Sequence, residues 1–374
     1  MAKDHYLPAG FIGRFSSDTT GAYRDRRLWM YNVKASKVLP AAASTIGYKK
    51  GLYNLHDGRN VDKWDYEGPL NRVLDDIASG KDVSLDDWVH IAVPFIAGLF
   101  VRGKEFNERY ENMPMMKGLM KSGKLNPDNT NGSRIIRLQR QLAPVMAARW
   151  VVLHNTDPNT PIISNDLGLV LTQDASTGAV GWAIPLDPKT VLGIFPQKIR
   201  HIARYAGGTW YANIEHLNPP ATMFKGMSEQ IARASKEFIF GTDESSIEAN
   251  KTHTGIEAEE KMSVIMEGPW AQMLSRKELV AHEAEWQTVA GLANLNLSPA
   301  EVLKHEFSLE DLDLQNKWSP PIVLFPTNLT PFPSGVGIRG NDMVLVLELL
   351  DDFDGHIIRP PETQPNNQTT NKNK

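Results

Sequence analysis

The sequence predicts an α+β fold, a helix-rich lobe packed on a small antiparallel or mixed β-sheet. Apolar residues recur at helical spacing through much of residues 66–154. Between Pro161 and Pro196, short runs of β-branched and aromatic residues are separated by glycine-bearing turns, the pattern of hairpin-connected strands. A chain of 374 residues also exceeds the size at which one core usually stops growing, so two lobes are expected.

Residues 27–33 are rich in strand formers and read as a strand. Residues 36–50 read as a polar, Ala-rich connection, and 51–55 as a second short extended piece. Glu67, Leu70, Val73, Leu74 and Ile77 then share one helical face, with Gly80 at the C-cap. Ser84-Leu-Asp-Asp87 is a capping-box-like start, with Asp87 in place of Glu. It launches a helix from Trp88 to about Tyr110 that Pro94 should bend or interrupt. Residues 126–132 read as a polar loop, and 134–153 as an amphipathic helix kinked at Pro144.

Strand signals follow at 161–166, 169–172, 181–186 and 191–195. Residues 226–240 read as a helix with Ser228 at its N-cap, and 256–293 as mostly helical with a break near Gly268-Pro269. Ser298-Pro-Ala-Glu301 is a further helix start, and residues 320–340 hold too much Pro and Gly for one regular element. Residues 343–350 are a buried-strand candidate, and 359–374 have almost nothing to bury and read as a disordered tail. The expected organisation is an α+β domain over 1–245, a helical and strand region over 246–358, and the tail.

Composition narrows function mainly by exclusion. A hydrophobic fraction of 41% and a charged fraction of 22% rule out whole-chain disorder. The net charge of -4 makes no strong field, so at this level nothing argues for nucleic acid or an acidic membrane. With no cysteine there are no disulfides, thiolate metal sites or cysteine nucleophile. The opening residues lack a signal-like apolar run, and no window approaches the roughly 20 apolar residues that cross a bilayer. The expected setting is the cytoplasm, without a membrane partner.

Catalytic and phosphate-binding signatures are missing as well. There is no His-Glu-x-x-His, EF-hand loop, Walker loop or Gly-x-Ser-x-Gly. Gly335-Val-Gly337 with Gly340 spells Gly-x-Gly-x-x-Gly, but no helix is expected after it. Asp166 is not followed by the Glu-x-Lys strand of a restriction-type nuclease. Carboxylate pairs at Asp75-Asp76 and Asp86-Asp87 fit solvated helix faces, whereas Asp351, Asp352 and Asp354, with metal-ligand chemistry, fit an ordinary solvated loop better than a metal site. Basic clusters lie at 24–27, 134–140 and 198–204, the last beside Tyr205, Trp210 and Tyr211. They fit either single-stranded nucleic acid or ordinary solvated faces. Trp88, Trp150, Trp182, Trp270 and Trp286 are expected in the core.

His5-Tyr-Leu-Pro8, followed by Phe11, Ile12 and Phe15, resembles the His-Tyr-x-Pro-x-x-aromatic-Leu-x-x-Phe start of the bacterial family catalogued as domain of unknown function 4238. Tyr53 falls at that family's aromatic pair, Glu67 at its helix-opening Glu, and Arg102 at the Arg closing its second long helix. Ile162-Ile-Ser-Asn-Asp166 is similar to its apolar-Thr-Ser-Asp stretch, and Ile184-Pro-Leu186 to its Pro-Leu strand. Asn218, Ala234 and Phe238 are like residues near its end. The resemblance lies in the shared order of these motifs, from His5 to near Phe240. Ala9-Gly10 and Leu167-Gly168 depart from it, replacing an Arg-aromatic pair and an Asn-Pro. What it implies is a mixed α/β or α+β fold and, for some relatives, genes among phage-defence systems; it carries over no catalytic residue.

His5, Glu67, Arg102 and Asp166 are the candidate catalytic residues. His5 suits acid-base work near neutral pH, and Asp166 suits orienting it or binding a divalent ion such as magnesium. Glu67 suits activation of water, and Arg102 suits a phosphate or a developing negative charge. Converging in one cleft, the four would make a phosphodiester or nucleotide hydrolase; a place in antiphage defence is what the resemblance implies. The competing account makes His5 and Asp166 hydrogen-bonding anchors and Glu67–Arg102 a lock between helices. On that account the protein is a non-enzymatic sensor of a phage component or a homo-oligomer, with Met262, Ile265 and Met266 on its seam.

Overall fold

Side chains alternate across a strand, so a sheet whose residues are apolar in both phases must be covered on both faces. The central sheet of the protein is built this way. The computed structural model describes residues 3–256, apart from 56, 60–65, 113–116, 119–120, 124–125, 177, 196–198, 202 and 208, together with 322–326, 345–349 and 355–357. The sequence readings at 257–321, 335–340, 351–354 and 359–374, with Trp270 and Trp286, lie outside the described residues.

The chain opens with β1 (Lys3–His5), the short helix α1 (Ala9–Ile12), β2 (Arg27–Asn32), β3 (Lys37–Ala42) and β4 (Tyr48–Lys50). The helical stretch comprises α2 (Glu67–Ser79), the turn α3 (Leu85–Asp87), α4 (Val93–Arg102), α5 (Lys104–Asn112) and α6 (Pro127–Ala147). Strands β5 (Arg149–His154), β6 (Ser164–Asn165), β7 (Val170–Gln173), β8 (Val180–Asp187) and β9 (Thr190–Phe195) follow. After β10 (Ile199–His201), β11 (Ala203–Ala206), β12 (Thr209–Ala212) and β13 (Ile214–Leu217) come α7 (Ala221–Ala234), β14 (Phe238–Gly241) and α8 (Glu244–Asn250). Strands β15 (Ile322–Pro326), β16 (Leu345–Leu349) and β17 (Gly355–Ile357) join β10 in a mixed sheet, so residues 343–350 do hold a strand.

The five-stranded sheet runs β13-β5-β9-β8-β7, antiparallel except for the parallel pair β13–β5. Trp150, Val152, Trp182, Ile184, Leu192 and Ile194 join the core of α2, α4 and α6, while Val151, Leu153, Ala183, Val191 and Phe195 join that of α7 and α8. A second, antiparallel sheet, β3-β2-β14-β6, closes the molecule. The α+β class is as expected. Phe11, Ile12 and Phe15 are all buried, Phe11 against Phe95 and Phe15 against Phe240, which is why the opening motif has that apolar spacing.

Several expectations need correction. Residues 36–50 are not a connection but contain β3 and β4, and 51–55 are mainly turn rather than strand. Pro40 hid β3; on an edge strand its missing N–H breaks no ladder. Residues 126–132 are not a loop, because α6 begins at Pro127 and the Asn126 side chain accepts the N–H of Asp128 at 2.9 Å. The predicted helix at 134–153 ends at Ala147, and its last part is β5. Helix α7 starts before Ser228, and Phe238–Gly241 is a strand. Around Pro94 the helix widens into a π turn, with the Val93 N–H on the Trp88 carbonyl. Pro94 then stands at the start of α4, where an N–H is not needed.

Candidate functional site

Arg102 and Gly103 end an apolar helix, and Gly103 adopts an extended ψ of 151° that separates α4 from α5. The break sends three successive charged side chains, Arg102, Lys104 and Glu105, to different neighbours around Tyr6. Arg102 turns inward and is 1% exposed. Its Nη1 pairs with Glu67 and donates to Tyr66 Oη at 3.1 Å, and its Nη2 donates to the His5 carbonyl at 2.5 Å. Tyr53 Oη donates to the Arg102 carbonyl at 3.0 Å. Gly98 leaves room for this network, since a Cβ there would stand 2.6 Å from Tyr66 Oη. The His5 ring is half-buried, its centroid 5.7 Å from that of Tyr48, and its Nε2 is buried without a hydrogen-bond partner. Burial, opposed by a Ser44 hydrogen bond and by Glu67, holds His5 below its ordinary pKa and so neutral at pH 7.

Asp166 stands in a second network. Asn165 fixes the turn that presents it, donating from Nδ2 to the Ile231 carbonyl and accepting from the N–H groups of Leu167 and Gly168. Gly168 has φ +72°, and a Cβ there would meet Leu7 at 2.8 Å, so glycine suits this turn. The Asp166 carboxylate is 3% exposed and accepts the N–H of Lys236 at 3.0 Å and of Glu237 at 2.9 Å. Asp166 and the buried Glu105 line one cavity of about 20 Å³ with Tyr6, Leu99, Phe100 and Leu167, room for one water. Burial, reinforced by the Glu105 charge and only partly offset by hydrogen bonding, pushes Asp166 up to about 7. Burial also raises Glu105. Such a pair disfavours ionisation of both carboxyls together.

Tyr6 separates this cavity from an open cleft of about 530 Å³, a volume typical of small-ligand sites. Tyr6, Asn32, Lys34, Thr45, Tyr48, Lys236 and Glu237 give the cleft its polar walls. Tyr6 Oη donates to Glu237 Oε2 at 2.9 Å, and Lys104 pairs with the same carboxylate through Oε1. Lys236 lies 3.4 Å from Glu108 and has an exposed side chain, and Lys34 is exposed in the turn between β2 and β3.

The structure therefore brings together His5, Glu67 and Arg102, through the His5 main chain, and puts Asp166 in the adjoining network. Arg102 has its hydrogen bonds inside the fold and does not face the cleft. Arg134, expected on a basic surface, is buried instead and donates to the carbonyls of Val101 and Gly103. Sequence reasoning missed Tyr6, Lys34, Lys104, Glu105, Lys236 and Glu237. One signal was present: Arg102-Gly103-Lys104-Glu105 abruptly follows an apolar run. Among the described residues no group of three or more His, Cys, Asp or Glu is arranged to hold a metal, and no helix is long and apolar enough to cross a membrane. No family model matches the chain, nor does any curated protein or solved structure.

Proposed function

We propose that the protein is a hydrolase of a phosphate ester, a nucleotide or a nucleic-acid phosphodiester, bound in the cleft beside Tyr6. The observation that carries this reading is the meeting of two exposed lysines, Lys34 and Lys236, on one cleft of ligand size with Tyr6 and Glu237, whose carboxylate also pairs with Lys104. Lys34 and Lys236 would neutralise phosphate oxygens, a charge-assisted contact stronger than a neutral hydrogen bond. Glu237, oriented by Tyr6 and Lys104, would take a proton from the attacking water. The water oxygen bonds to phosphorus as the ester P–O bond breaks, and the departing oxygen takes a proton from Lys236 or solvent. Asp166 acts as a positioning residue that fixes the Lys236 and Glu237 main chain. His5, Glu67 and Arg102 position the strand leading into Tyr6. A role in phage defence follows only from the resemblance read in the sequence.

A second reading uses the same cleft for recognition without turnover, and the sealing of Arg102 within the fold favours it. One experiment separates the two. Purified protein is incubated with nucleoside triphosphates, RNA and DNA, with and without magnesium, alongside Glu237→Gln and the Lys34→Ala/Lys236→Ala pair. Turnover that falls by about a hundredfold or more in Glu237→Gln supports the hydrolase. Binding without turnover, lost in the double lysine variant, supports the sensor. Ligand handling that both variants leave intact removes the cleft from either role.

A further inference from the structure

Away from this cleft, the exposed edge of the five-stranded sheet carries a pair of histidines. Strands β5 and β13 run parallel with His216 opposite Val152, so His154, two residues further on, stands on the same face. His154 Nε2 lies 2.9 Å from His216 Nδ1, and the two rings are 20° from parallel. We infer that His154 and His216 form a binding site for a divalent transition-metal ion, with copper(II) or nickel(II) preferred over zinc(II).

Geometry sets that preference. Two imidazole nitrogens about 2.05 Å from one metal stand about 2.9 Å apart when cis at a right angle, and about 3.3 Å apart at the tetrahedral angle. The 2.9 Å of the free pair is a hydrogen-bond length, and it already brings the two nitrogens within reach of the cis positions of a square-planar or tetragonal ion, without the widening a tetrahedral zinc site needs. Only a neutral ring can ligate, so a bound ion competes with protons for the pair and is released as pH falls. The ring that donates in the free pair takes its other tautomer, and a rotation of the exposed His216 aims both lone pairs at the ion. Water fills the remaining positions.

A second feature favours a cation here. The His216 ring packs on Gly80, with its Nδ1 and Cε1 3.7 Å from where a Cβ would stand. Gly80 is the C-cap of α2, so the negative end of that helix dipole faces the pair. A bound ion would also tie the edge strand β13 to β5.

Copper(II) chloride and nickel(II) chloride are titrated into the full chain at pH 7.5, with electron paramagnetic resonance of the copper form. The wild type is expected to bind one ion at micromolar metal, with superhyperfine coupling to two imidazole nitrogens. His216→Gln, on an exposed edge position that does not support the core, and His154→Gln should each weaken binding at least tenfold, by about 1.4 kcal/mol. Circular dichroism of each variant verifies the fold. Absence of binding in the wild type, or equal binding by a folded His216→Gln protein, would overturn the site.

Discussion

A guanidinium taken out of water is tolerated only where acceptors surround it. Arg102 meets a carboxylate, the Tyr66 phenol and a main-chain carbonyl, and so ties α4 to α2 and to β1. Its replacement by methionine keeps much of the apolar stem but leaves the His5 carbonyl and the Tyr66 hydroxyl without their donor. Arg102→Met should cost about 3–5 kcal/mol in urea unfolding. A loss below about 1 kcal/mol would mean that the lock contributes little. Glu67 and Arg102 could both be picked out in the sequence, Glu67 at the start of a helical face and Arg102 at the end of an apolar run. Their partnership was not, since residues 35 positions apart meet only through the packing of α2 on α4. Tyr6 and Glu237 were illegible for a related reason: each looks ordinary in its local run, and only the break at Gly103 and the turn at Asp166 bring them together with Glu105.

Element boundaries show where local chemistry was read well and where tertiary context overruled it. Gly80, with φ +73°, and Ser84, whose hydroxyl accepts the Asp87 N–H at 3.1 Å, are the caps that the sequence announced. The same chemistry at Asn126-Pro127 was hidden inside a polar, glycine-bearing stretch that looks like a loop. Because the Asn126 side chain accepts from Asp128 and Asn129, Asn126→Ala should destabilise the protein by about 1 kcal/mol. Chemical denaturation measures this, and an unchanged midpoint would show that α6 does not depend on its cap. Strand β14 escaped notice because it is central in its sheet. Phe238, Ile239 and Phe240 are all buried, so the two-residue alternation that marks a half-exposed strand is missing.

At the scale of the whole molecule, the segment after β1, the α4–α5 break and the turn after β6 enclose an acidic pocket that shares Tyr6 with a lysine-edged cleft. Desolvation is the price of that enclosure, and it falls mainly on Asp166. Folding raises its pKa from an ordinary 3.8 to about 7. The sign follows from linkage: the folded state holds this proton more tightly, so its stabilising contribution is full below pH 3.8 and is lost as pH rises through 7. Near neutral pH the carboxyl behind Lys236 and Glu237 thus changes charge, and with it the field at the rear wall of the cleft. A ¹³C NMR titration of the Asp166 carboxyl carbon, assigned by its loss in Asp166→Asn, tests this most directly. A midpoint near 7 is expected; a midpoint below about 5 would mean the carboxylate is already charged and solvated, and that no buried acid backs the cleft.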